Sequence, residues 1–119
     1  MAGKLVHFEI AAHESMRACE FYSGLFGWQF QQGMPEMDYH LTESGAVMGG
    51  EMAAPTVGHL VVYFDTDDID ESVAKVRELG GEAEDKSPIP GIGSFARCKD
   101  TEGNEFSLFQ PDESTTQPG

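Results

Sequence analysis

One pattern is written twice in this chain, and that repeat limits the fold more than any single residue does. Val6-His7-Phe8-Glu9-Ile10 alternates along a strand, with Val6, Phe8 and Ile10 on one face and His7 and Glu9 on the other. Gly58 to Phe64 does the same, setting Leu60, Val62 and Phe64 opposite His59 and Tyr63. Each run leads into a helical pattern. Ser15 to Phe26 places Met16, Cys19, Tyr22 and Phe26 at helical spacing, with Ser15 as the N-cap and Gly27 as the stop. In the second copy Asp68 caps a helix with Ile69, Val73, Val76 and Leu79 on one face, closed by Gly80-Gly81.

Short strand patterns follow each helix. In the first copy they are Trp28 to Gln31, Asp38 to Thr42 and Ala46 to Met48; in the second, Glu82 to Glu84, Ser94 to Lys99 and Glu105 to Phe109. Pro88 to Gly93 is expected to be a loop and Asp100 to Gly103 a turn. Landmarks recur in register, His7 with His59, Gly27 with Gly81 and Gly45 with Gly103, roughly fifty residues apart, as internal duplication produces. If both apolar stripes pack under helices, His7 and His59 point away from them, toward whatever the sheet encloses.

Composition narrows the setting. A chain of 119 residues, 39% hydrophobic, has the length of one domain with a core of its own. No apolar stretch reaches membrane-spanning length and the start lacks the apolar core of a signal peptide, so a soluble, cytoplasmic protein without a membrane partner is expected. Cys19 falls in a helix pattern and Cys98 in a strand pattern, and both read as packing residues. A formal charge of -14 excludes nucleic acid, which needs a basic face, and suits a cationic ligand or a solvated acidic surface. His13 and His40 read as surface or loop residues, and Trp28 as packing. Met34, Met37, Met48 and Met52 suit an adaptable apolar wall. Gly91-Ile92-Gly93 lacks the setting of a dinucleotide motif, and Asp65 to Asp68 reads as a helix cap rather than a calcium loop.

These segments, together with Leu25-Phe26-Gly27-Trp28, Val62 to Ile69 and Asp100 to Phe106, resemble the vicinal oxygen chelate superfamily. That superfamily includes glyoxalase I, the extradiol dioxygenases and the bleomycin-resistance proteins, and the likeness extends to glyoxalase-like proteins related to lactoylglutathione lyase. The resemblance implies an α+β fold in residues 1–110: two strand-helix-strand-strand-strand modules, 4–52 and 57–110, whose eight strands curve around a cleft with the helices outside. Residues 111–119 are expected to form a flexible tail. The modules pair within one chain or across a homodimer.

The resemblance also implies one metal ligand from the first and one from the last strand of each module. His7 and His59 match the first-strand positions, while the last-strand positions fall on Gly49 and Ser107, where glyoxalase I uses glutamate. The implied cofactor is a divalent metal such as zinc, nickel, iron or manganese, with Glu9, Glu51 or Glu105 as carboxylates placed to complete a set. Two neutral imidazoles without a carboxylate hold such an ion poorly. The expectation is therefore a protein that binds a small organic ligand in a cleft lined by His7, Glu9, His59, Tyr63, Gly49 and Ser107. The alternative is a metal-dependent lyase, isomerase or dioxygenase that uses His7 and His59, and no catalytic residue is assigned.

Overall fold

The computed structural model describes residues 3–33, 35–53, 55, 57, 58 and 60–112, with the side chain of Met52 excepted. The chain divides into two compact units, His7–Val61 and a second made of Met1–Val6 with Val62–Gly119.

The first copy contains β1 (Leu5–Ala11), α1 (Ser15–Phe26), β2 (Gln31–Gln32), β3 (Tyr39–Leu41) and β4 (Gly45–Met48). The short helix α2 (Gly50–Ala53) follows. Strand order is β2-β3-β4-β1, with β1 parallel to β4 and the other pairs antiparallel. A parallel pair needs a crossover, and α1 lies within it. Its Cys19 packs with Ala12 and Val47, joined by Ile10, Ala18, Tyr22 and Phe30.

The second copy contains β5 (Leu60–Asp65), α3 (Ile69–Glu78), β6 (Glu82–Ala83), β7 (Ser87–Ile89), β8 (Gly93–Lys99) and β9 (Glu105–Pro111). Here the order is β5-β9-β8-β6, with β7 also on β8 and β5 parallel to β9. Ile69 and Val73 of α3 pack on Ala96, Cys98 and Leu108. The α+β class and the repeated strand-helix-strand order are as the sequence predicts.

Several details differ. Ser15 is the first residue of α1 rather than its cap: Glu14 holds the cap position without a side-chain bond, and the Ser15 hydroxyl donates to Asp38 Oδ1 at 2.5 Å. Asp68 does cap α3, accepting from the Glu71 amide at 3.1 Å. Strand β2 starts at Gln31, because Trp28 turns into an aromatic cluster with Phe8, Tyr22, Phe26 and Phe30. The expected Pro88 loop is partly strand: β7 pairs with β8, and Pro88 is tolerated in an edge position where its missing amide is not needed. Leu79 is not on the buried face of α3 but caps its end, 66% exposed. His40 is not a loop residue; it lies half-buried in β3. Both cysteines are buried and free, in the two packing clusters. Met34 and residues 113–119 of the expected tail lie outside the described residues.

Candidate functional site

Alternation along β1 decides which side chains serve packing and which are left for chemistry. Ile10 pairs with Val47 and both pack on α1, so His7 and Glu9 project from the opposite face of the sheet. Register places Ala46 beside Glu9, Met48 beside Ala11, Leu41 beside Ala46 and Tyr39 beside Met48 on that same face. Tyr39, 8% exposed, extends across it.

The Tyr39 hydroxyl connects the two polar residues of β1. It donates to Glu9 Oε2 at 2.7 Å and lies 2.8 Å from His7 Nε2, and the His7 and Tyr39 rings stack at 6.4 Å between centroids with 24° between planes. A phenol has one proton, and here the carboxylate takes it. His7 Nε2 must therefore carry a hydrogen and donate to the phenolic oxygen, which fixes the imidazole tautomer. Burial pushes the His7 imidazole below its ordinary value, with the Glu9 carboxylate pulling the other way, so the ring is neutral at neutral pH.

Gly49 does not sit on this face. Strand β4 ends at Met48, the Gly49 amide donates to the Asp38 carbonyl at 2.9 Å, and a positive φ of 75° at Gly50 turns the chain into α2. A side chain at 49 would run into the Asp38 carboxylate and would lie 3.1 Å from Ser15 Cβ, at the start of α1. That carboxylate is itself engaged. Asp38 Oδ1 accepts from Ser15 and contacts His40 Nε2 at 2.8 Å, and these bonds hold the carboxyl below the usual carboxylate range. Glu51 does not share a face with the β4 residues, because the strand does not continue; it is exposed in the first turn of α2. The β4 side chains on the Glu9 face are thus Ala46 and Met48, neither of which ligates a hard ion.

In the second copy, Ala96, Cys98 and Leu108 pack on α3, which leaves Tyr63, Ser107, Arg97 and Glu105 on the other face. Tyr63 is beside Ser107, Ser107 beside Arg97, and Glu105 beside Lys99. Ser107 is 2% exposed, whereas Glu105 is at the surface. His59 lies outside the described residues. Among the described residues no three histidine, cysteine, aspartate or glutamate side chains gather to hold a metal. The donors there are one imidazole and a carboxylate already bonded to Tyr39, which do not fit a divalent ion. A hollow of about 400 Å³ beside Ala12, His13, Arg17, Ala18 and Phe21 contains none of the expected site residues. Sequence reasoning missed Tyr39, Asp38 and Arg97. Tyr39 was accessible through alternation, since Asp38 to Thr42 was already a strand pattern in which 39 and 41 share a face.

Two copies of a strand-helix-strand unit, the first presenting a histidine from its opening strand and the second carrying one extra short strand, β7, define the vicinal oxygen chelate class, and this chain belongs to that superfamily. Within it, residues 7–109 match the glyoxalase-like domain family, of which the chain is a member. It is similar to a Mycobacterium tuberculosis protein named "Putative glyoxylase CFP32", at 31% identity over 92% of this chain and 44% of that protein. The chain therefore spans less than half the length of the curated relatives it matches. Among solved structures, the hypothetical protein BH1468 of Bacillus halodurans superposes with a TM-score of 0.74 at 16% identity, covering 98% of both chains. Methylmalonyl-CoA epimerase of Mycobacterium tuberculosis gives 0.68 at 15% identity, covering 93% of this chain and 89% of that one. These likenesses are of fold. No helix among the described residues is long and apolar enough to cross a membrane.

Proposed function

We propose that this protein binds a small organic ligand on the face that carries His7, Glu9 and Tyr39, without the full metal site of glyoxalase I. The observation that carries this reading is the Tyr39 bridge: the same hydroxyl engages His7 and Glu9, so both side chains are committed to a hydrogen-bonded network. The neighbouring positions Ala46 and Met48 are apolar, as suits an organic ligand surrounded by a few fixed polar groups. Residues 1–110 are the proposed domain, in the cytoplasm, and exposed Phe21, Leu25 and Leu60 are apolar surface that a homodimer would cover.

A second reading is favoured by the neutral state of His7. A neutral imidazole held in one tautomer can move a proton, and relatives named as a glyoxylase and an epimerase suggest small oxygenated metabolites as substrates. In that case His7 acts as acid or base in a lyase- or isomerase-type reaction. The discriminating experiment is a steady-state assay with methylglyoxal and glutathione across several divalent ions, beside metal analysis of protein purified without chelator. The expected result is no lactoylglutathione, far less than one metal per chain and a melting temperature unchanged by chelator. Turnover abolished by His7→Ala, or a stoichiometric ion whose removal lowers the melting temperature, would overturn the binding-protein reading.

A further inference from the structure

The helix side of the first sheet carries chemistry of its own. Strands β3 and β4 are joined by a tight turn in which the Thr42 amide donates to the Gly45 carbonyl at 2.9 Å, leaving Glu43 and Ser44 at its tip. Gly45 pairs with Phe8 of β1, and a side chain at 45 would lie 2.6 Å from the Phe8 ring. Its absence lets that ring lie against the base of the turn.

Trp28 approaches the same ring from the segment that follows α1. Its centroid is 5.9 Å from that of Phe8 with 39° between planes, Tyr22 stacks on it at 5.4 Å, and the Ser23 hydroxyl donates to its carbonyl at 2.7 Å. The indole is therefore held in place. Beside it lies a hollow of about 60 Å³ lined by Phe8, Trp28, Thr42, Glu43 and Ser44. Two aromatic rings and one carboxylate line it, with no basic side chain.

These ingredients select for positive charge. The face of an aromatic ring attracts a cation, most strongly for an indole, and a carboxylate adds direct Coulomb attraction. A chain with 21 acidic against 7 basic residues also concentrates cations around it. The wider hollow beside Arg17 lacks this bias, because Glu14 and Arg17 there already pair at 2.8 Å. A single carboxylate is too few ligands for a hard divalent ion, so the hollow suits an organic cation and not a metal.

We propose that this hollow binds the alkylated ammonium head of a small organic cation, held by Phe8, Trp28 and the Glu43 carboxylate with its tail in solvent. Methyl groups on the nitrogen pack on the rings, and a charge spread over them needs no hydrogen-bond acceptor of its own. Phe8 is on the face of β1 opposite to His7 and Glu9, so this site stands independently of the ligand-binding reading above.

The chain has one tryptophan, so Trp28 fluorescence reports on the hollow directly. Choline is titrated beside dimethylbutanol, its uncharged counterpart with carbon in place of nitrogen, and beside sodium chloride at matched ionic strength. Choline is expected to change the emission saturably and to bind about fivefold or more tightly than the alcohol, as cation–π contacts joined by a carboxylate give. Glu43→Gln, in an exposed turn, should weaken choline several-fold and leave the alcohol unaffected. Trp28→Phe, followed by NMR of the choline methyl groups, should also weaken choline, since a phenyl ring attracts a cation less than an indole does. Choline that fails to saturate, binds no better than the alcohol or is indifferent to Glu43→Gln overturns the site, as does an equal response to sodium chloride.

Discussion

Tyr39 is the residue on which the first-copy network depends, because one hydroxyl serves both His7 and Glu9. Tyr39→Phe keeps the ring and its stacking but removes a donor from a carboxylate and an acceptor from an imidazole. The expected cost is about 1–3 kcal/mol, read from denaturant unfolding. A loss near zero would mean that neither partner depends on the bridge. His7 gives the network a pH signature. Burial holds the folded imidazole below its ordinary value of 6.5, so in the window beneath that value the unfolded chain takes up a proton that the folded chain refuses. Stability therefore rises with pH across that window and is lost as the solution is acidified through it. His7→Gln should flatten the melting temperature between neutral pH and the onset of carboxylate protonation, and an unchanged slope would assign it to another group. At this scale the sequence was legible where alternation sufficed, as for His7 and Glu9. It was not legible at Gly49, where a strand end and a positive φ at the next residue redirect the chain.

The two crossover helices have matching roles and unequal starts. Asp68 caps α3 through the Glu71 amide, whereas Glu14 occupies the cap of α1 in extended conformation and bonds no helix amide through its side chain. Asp68→Ala should cost about 0.5–2 kcal/mol, while Glu14→Asp should stabilise by up to about 1 kcal/mol, both measured as shifts in unfolding midpoint at constant slope. Equal losses at both positions would show that the caps are not distinguished by side-chain bonding. The contact of Glu14 with Arg17 at 2.8 Å hardly alters the comparison, since both side chains are well exposed. Long periodic segments such as Ser15 to Phe26 were readable because a dozen residues repeat one spacing, and the helix occupies that span. The two-residue β2 and the three-residue β7 were misread because so few residues hold no period. Their positions are set by what they pair with, β3 and β8, which is tertiary information.

Charge acts on the whole molecule. With Lys and Arg numbering 7 against 21 Asp and Glu, the folded state concentrates repulsion that the unfolded chain disperses. The local ion pairs do not offset it. Arg17–Glu14, Lys75–Glu78, Arg77–Asp85 and Lys86–Asp70 all join side chains between 46% and 93% exposed, where such pairs contribute little. Screening should therefore stabilise this protein. Raising sodium chloride from roughly 0.01 M to 1 M shrinks the screening length from about 30 Å to about 3 Å, which suppresses repulsion between separated carboxylates more than attraction within contacting pairs. The melting temperature should rise over that range, and most steeply at its lower end. Charge is separated from general salting effects by a variant in which exposed Glu82, Glu84 and Asp85 are made neutral amides. That variant should start with a higher melting temperature at low salt and gain less on salt addition, and an equal gain in both proteins would assign the effect to surface hydration instead of net charge.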